Sequence, residues 1–216
     1  EGGNKQVSES IKDKVAIIGM GVPKWGELWN KDIFDLMADA VYLALEDAGV
    51  EKKQIEAAWL GYCGMDSAST GLPLAQALQF QFIPITHVEN ACGTGAETIR
   101  GAAFALASKQ YDLCMAVGAE KMKDGGFGGL GLTWAGKWYP LYSAEIGGGV
   151  GRYALSATAY FRKYGLSPEE GKRTIGKISV KSHHNGARNP KAHLRREVTL
   201  DQVINAPIIA WPLGLF

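Results

Sequence analysis

Cys92 is the residue of this 216-residue chain best placed to do chemistry. It stands in Ile85-Thr-His-Val-Glu-Asn-Ala-Cys-Gly-Thr-Gly95, directly ahead of the alanine-rich run from Ala96 to Ala107. The pattern predicts a short strand that turns sharply at the cysteine and opens into a helix. There, the unpaired N–H groups and the positive end of the helix dipole favour a thiolate over a thiol. Ala91, Gly93 and Gly95 leave the sulfur room to meet a substrate, and glycine tolerates a strained turn. Cys92 is therefore expected to be a covalent nucleophile.

The other reactive residue types read differently. Cys63 ends the apolar run Ala57 to Cys63, and Cys114 lies within Asp112 to Gly118. Both are expected to be strand residues facing a core. Of the four histidines, His87 precedes the nucleophile in the same strand and is expected at a core or sheet-end position. His183 and His184, in Lys181 to Pro190, are structural or substrate-adjacent candidates, and His193 has no assigned role. None is spaced with a cysteine as a metal site requires, so no bound metal is expected. Trp134, Trp138, Tyr139 and Tyr142 crowd a glycine-rich stretch. They fit either an apolar pocket for a bulky or aromatic group or a hydrophobic anchor for the loop.

The elements that must position Cys92 follow from periodicity. Lys14 to Gly21 has the apolar, glycine-ended pattern of a buried parallel strand. Ile33, Phe34, Met37, Val41, Ala44, Leu45 and Ala48 form one helical face, with Gly49 as its stop. Ala57 to Cys63 is a second strand, Leu72 to Phe80 a helix with Pro73 in its first turn, Ile83 to Val88 a third strand and Asp112 to Ala119 a fourth. This alternation predicts an α/β domain with a largely parallel sheet, whose ligands collect at the C-terminal strand ends. Two helices are expected later: Arg152 to Tyr164, then a run to about His184 opened by the capping box Ser167/Glu170. Four segments result: a tail at 1–13, the α/β domain at 14–120, a substrate-covering loop domain at 121–200, and a return to the first domain at 201–216.

Composition narrows the function classes. A net charge of +1 makes no electrostatic case for nucleic acid or a membrane surface. No apolar run approaches the roughly 18 residues that span a bilayer. Three cysteines without paired spacing argue for a reducing cytoplasm. The glycines after Lys14 to Gly21 do not make a dinucleotide fingerprint, because Lys24 stands where the third glycine belongs and Pro23 interrupts the helix start. No phosphate-binding Gly-Lys-Ser/Thr loop is present either. The chain lacks an initiator methionine, as a processed or trimmed product would, and stops on an apolar segment that is expected to be buried by more chain or by a partner.

Taken in order, Lys14 to Gly21, Val88 to Gly95, Asp112 to Met122 and Asn205 to Pro212 resemble the N-terminal half of a thiolase, in the sterol-carrier-protein-x and archaeal acetyl-CoA acetyltransferase branch. That resemblance implies a thiolase-like layered α/β fold with a loop domain inserted in its first half. It places Cys92 on the acyl-accepting cysteine. It implies acyl transfer between a β-ketoacyl-CoA and coenzyme A, by thiolytic cleavage or the reverse condensation, with coenzyme A as substrate and no bound cofactor. The Cys92 and Gly93 N–H groups become candidate oxyanion donors, and Trp134, Trp138, Tyr142 and His183 candidate pocket residues. Of the basic residues Lys121, Lys123, Lys137, Arg152, Arg162, Lys163, Lys172 and Arg173, a minority would meet coenzyme A phosphates and the rest form a solvated face.

The resemblance implies that the activating histidine, a second acid/base cysteine and an oxyanion-stabilising His or Asn come from the C-terminal half, so that either the rest was cut away or these residues reside on another polypeptide. The branch also implies a homodimer or higher oligomer and a small zinc-ribbon/OB-fold partner subunit. Alternatives within the superfamily are a retro-aldolase acting on a β-hydroxyacyl-CoA and a decarboxylating ketosynthase. A non-catalytic scaffold half of a hetero-complex is the alternative outside it.

Overall fold

The computed structural model describes residues 10–63, 70–124 and 148–216. Contacts divide the chain into two units, residues 1–23 with 27–131 and residues 24–26 with 132–216.

The first unit is built on three parallel strands, β1 (Ala57–Gly61), β2 (Ile85–Val88) and β3 (Cys114–Gly118), in the order β2-β1-β3. The central strand sets the register, with Leu60 between His87 and Val117. Its side chains are apolar on both faces because both are covered, and Ala58 and Leu60 are buried. Helix α1 (Ile33–Ala48) starts at Asp32, which accepts the Asp35 N–H at 2.8 Å while Asp35 accepts the Asp32 N–H at 3.0 Å. Met37, Val41 and Leu45 recur every four residues and enter the core beside Leu60, Leu74 and Val117. Gly49, at φ +67°, ends the helix as expected. Helix α2 (Leu72–Leu78) adds Leu74 and Leu78 to the same cluster.

Helix α3 (Thr94–Ala107) lies against β1 and β3 at unusually close range. A Cβ on Gly61 would come within 2.7 Å of the Thr94 methyl, and one on Gly101 within 2.4 Å of the Trp59 indole nitrogen. Two glycines, one on each element, therefore set the distance between helix and sheet.

One expected element is absent. Residues 14–21 do not form a strand, and Ile17 is 71% exposed. The segment lies along α1: the Met20 N–H donates to Asp47 Oδ2 at 2.9 Å, and Cβ atoms on Gly19 and Gly21 would meet the Ala44 and Ala40 carbonyl oxygens at 2.6 and 1.9 Å. An apolar run ending in glycine specifies an extended chain, but a strand also needs a paired neighbour. Elsewhere the expected strands are right in kind and one or two residues long at their ends.

The second unit contains α4 (Gly148–Tyr164), α5 (Pro168–Arg188), α6 (Leu200–Ile204) and a hairpin of β4 (Ile208–Ala210) with β5 (Leu213–Gly214). Ser167 and Glu170 form the expected capping box, with Ser167 N–H to Glu170 Oε2 at 2.9 Å and Glu170 N–H to Ser167 Oγ at 3.3 Å. Gly171 faces the ring of buried Phe161, and Gly176 faces Leu200, so small residues on α5 admit both neighbouring helices. Residues 201–216, expected to return to the first domain, belong to this second unit, where α6 packs on α5.

Replacing Gly101 by alanine forces a Cβ into Trp59 and is expected to cost about 1–3 kcal/mol. Urea unfolding of the protein should show a lower midpoint with an unchanged slope.

Candidate functional site

Three parallel strands deliver three polar residues to one end of the sheet: Cys63 beyond β1, Glu89 beyond β2 and Glu120 beyond β3. Cys63 donates its N–H to Glu120 Oε2 at 2.9 Å. Burial, then the Glu89 and Glu120 carboxylates, push the Cys63 thiol up, so it keeps its proton. Neither glutamate was singled out from sequence. Their signal is positional: each is the first acidic residue after an apolar strand in a parallel sheet.

Cys92 belongs to a 3₁₀ turn, Ala91–Gly93, between β2 and α3, and is exposed. Glycine does not supply the strained position, as the sequence suggested. Gly93 has φ −90° and caps α3, whereas Ala91 takes the left-handed conformation at φ +48°. For a residue with a Cβ this costs about 1–3 kcal/mol and needs local support. That support is a closed set of hydrogen bonds. Ala91 donates its N–H to Glu89 Oε1 at 2.6 Å, and its carbonyl accepts from Thr94 Oγ1 at 2.8 Å. The same Thr94 oxygen accepts the Asn90 N–H at 2.8 Å. The Asn90 side-chain amide reaches Glu97 Oε1 at 3.4 Å, and Arg100 Nε holds the other Glu97 oxygen at 2.9 Å.

These bonds change the expected oxyanion pair. Gly93 donates its N–H to the Asn90 carbonyl at 2.9 Å, which removes it as a free donor. None of these bonds takes the Cys92 N–H, which leaves it the candidate donor of the two. No neighbour lies within 4 Å of a Cβ built on Gly95, and the one built on Gly93 meets only the Asn90 side chain, at 3.8 Å. Among the described residues, the space beside these two glycines is open.

The remaining sequence candidates separate clearly. His87 pairs its Nε2 with the Tyr62 carbonyl at 3.1 Å and lies on the Tyr62 ring at 4.2 Å, as a sheet-end support. Cys114 begins β3, at the opposite end of the strand from the Cys92 turn. Burial and the Glu56 carboxylate push its thiol up to about 11. In the second unit, His183 Nδ1 is 2.9 Å from the Arg196 carbonyl and its ring stands edge-on to Phe216. His184 joins Arg188 and Glu197 in an exposed cluster. Trp134, Trp138, Tyr139, Tyr142 and Lys137 lie outside the described residues.

Several of the basic residues have structural duties. Lys121 Nζ donates to the Leu28 and Lys31 carbonyls at 3.1 and 2.7 Å, Lys172 Nζ to the Ile204 carbonyl at 2.6 Å, and Lys123 pairs with Glu27 at 3.0 Å. The small overall charge conceals a large asymmetry. The first unit has 10 Lys and Arg against 17 Asp and Glu, net −7, while the second has 13 against 5, net +8. Among the described residues no group of His, Cys, Asp and Glu is arranged to hold a metal ion, and no helix is long and apolar enough to cross a membrane.

The family is identified by the match of the sequence to a family model. Residues 15–126 match the family model described as the thiolase N-terminal domain. The chain is 33% identical over 212 residues to an acetyl-CoA acetyltransferase of Methanothermobacter thermautotrophicus, across 93% of this chain and 52% of that protein. It is 28% identical over 210 residues to sterol carrier protein 2 of Bos taurus, across 91% of this chain and 37% of that protein. Among solved structures its fold is like that of the Ltp2-ChsH2(DUF35) aldolase, with a TM-score of 0.75 at 22% identity over 93% of this chain and 50% of that one. The chain thus spans about half the length, or less, of the proteins it matches.

Exposure and thiol protection together predict the order of cysteine modification. Treated with iodoacetamide at pH 8, the protein should be alkylated first at Cys92, with Cys114 labelled only as the pH approaches 11. Peptide mass spectrometry reads the order, and early labelling of Cys114 would contradict the buried thiol.

Proposed function

The chain belongs to the thiolase family, and on that premise we propose that it supplies the acyl-accepting half of an acetyl-CoA acetyltransferase-like enzyme. The observation that carries this reading is the exposed Cys92 on a tightly bonded left-handed turn at the C-terminal end of a parallel strand.

The substrate is a β-ketoacyl-CoA. The Cys92 sulfur attacks the β-carbonyl carbon, and the oxygen gathers negative charge beside the Cys92 N–H. Collapse of this adduct breaks the Cα–Cβ bond. The electron pair leaves on the shortened acyl-CoA as its enolate, which takes a proton from an acid, and the acyl group stays on sulfur as a thioester. The thiol of a second coenzyme A, deprotonated by a base, attacks the thioester, releasing acyl-CoA and regenerating Cys92. The acid and base belong to the family's C-terminal half. In the opposite direction the same groups perform the condensation.

The net charge of +8 on the second unit supports an anionic co-substrate such as coenzyme A. The density of aromatic residues in the sequence at Trp134, Trp138 and Tyr142 supports a bulky or aromatic acyl group. Three free cysteines support a reducing cytoplasm as the compartment. A homo-oligomer, and a small zinc-ribbon/OB-fold partner, complete the proposed assembly.

The name of the similar aldolase structure favours one second reading, cleavage of a β-hydroxyacyl-CoA to an aldehyde and an acyl-CoA, which needs no acyl-cysteine. Incubation of the complete protein with a β-ketoacyl-CoA should leave an acyl adduct on Cys92, absent in Cys92→Ala, with turnover reduced by at least about 1,000-fold in that variant. An aldehyde product from a β-hydroxyacyl-CoA, with Cys92→Ala still active, would decide for the aldolase.

A further inference from the structure

We propose that Glu89 is the positioning residue of the Cys92 turn: its carboxylate takes the Ala91 N–H and pins the left-handed backbone that presents the Cys92 sulfur and N–H. The proposal rests on Cys92 being the acyl acceptor.

Ala91 has a Cβ, so its φ of +48° persists only where both sides of the residue are tied down. On the carbonyl side the tie is internal to the fold. Thr94 Oγ1 donates to the Ala91 carbonyl and accepts the Asn90 N–H, and the Thr94 methyl is seated over Gly61 at the end of β1. On the N–H side the tie is one side chain, Glu89, through a charge-assisted bond of 2.6 Å. The link spans two residues, from side chain to backbone, and thus mimics a backbone turn in the manner of a short polar residue.

Without it the Ala91 N–H turns to water and only the Thr94 bond on the carbonyl side opposes a return of Ala91 to negative φ. Rotation there redirects the next peptide, which carries the Cys92 N–H and side chain. Glu89 is itself exposed, so its removal leaves neither a cavity nor a buried unpaired group. A loss of chemistry on its replacement therefore reports on the turn rather than on the core.

The test is single-turnover acylation of the full protein by acetyl-CoA, with the Cys92 adduct quantified by mass spectrometry and acetyl-CoA affinity measured separately. Glu89→Gln keeps an acceptor oxygen and should acylate within about threefold of wild type. Glu89→Met removes the acceptor and should slow acylation about tenfold or more, with affinity and melting temperature unchanged. Adding Ala91→Gly to Glu89→Met should recover much of the rate, because glycine holds positive φ without help.

Wild-type acylation rates in Glu89→Met would overturn the proposal. So would a Glu89→Gln variant as slow as Glu89→Met, which would assign the effect to charge. If Glu89→Met does not fold, Ala91→Val carries the test, since a β-branched residue resists the left-handed region: a tenfold loss supports the proposal and an unchanged rate overturns it. A wild-type protein that forms no Cys92 adduct overturns the acyl-acceptor reading instead.

Discussion

The distance between α3 and the sheet is the constraint on which the Cys92 site depends. Gly61 on β1 and Gly101 on α3 let the helix approach until Thr94 and Trp59 occupy the space that two Cβ atoms would fill. Because α3 begins just beyond β2, that approach fixes where its first turn lies relative to the strand ends. The connection that joins them is five residues, the last three of them the 3₁₀ turn Ala91–Gly93, and has little freedom to be anything but tight. A wider separation would have let it relax into an ordinary loop, with the cysteine in no defined direction.

Tightness alone does not orient a sulfur. The polar side chains of the turn do so by consuming nearly every backbone group around Cys92. Glu89 and Thr94 hold the two sides of Ala91, Asn90 is held by Thr94 and Glu97, and Gly93 is bonded back to Asn90. None of these bonds takes the N–H of Cys92, whose sulfur is exposed. A nucleophile and an adjacent donor are the two groups that addition to a carbonyl requires. The neighbouring Cys63 thiol is pushed up by burial first and then by the Glu89 and Glu120 carboxylates.

The first unit is acidic and the second basic, by amounts that cancel almost completely in the whole chain. A near-neutral total makes no electrostatic case for nucleic acid or a membrane surface, but a field is produced by where charges lie and not by their sum.

Local patterns settled much of this protein directly from its residues. The stripe Met37, Val41, Leu45, the stop at Gly49, the Ser167/Glu170 capping box and the strand–Cys92–helix order are all written in spacings of a few residues. Features that depend on distant partners were decided by tertiary structure. Residues 14–21 carry a strand's pattern yet rest on α1, because pairing is a property of two segments and not of one. The left-handed residue is Ala91 rather than a glycine because a carboxylate and a hydroxyl from its neighbours stabilise it there. Glu89 and Glu120 meet Cys63 only because three parallel strands end side by side, an arrangement to which no short window of sequence has access.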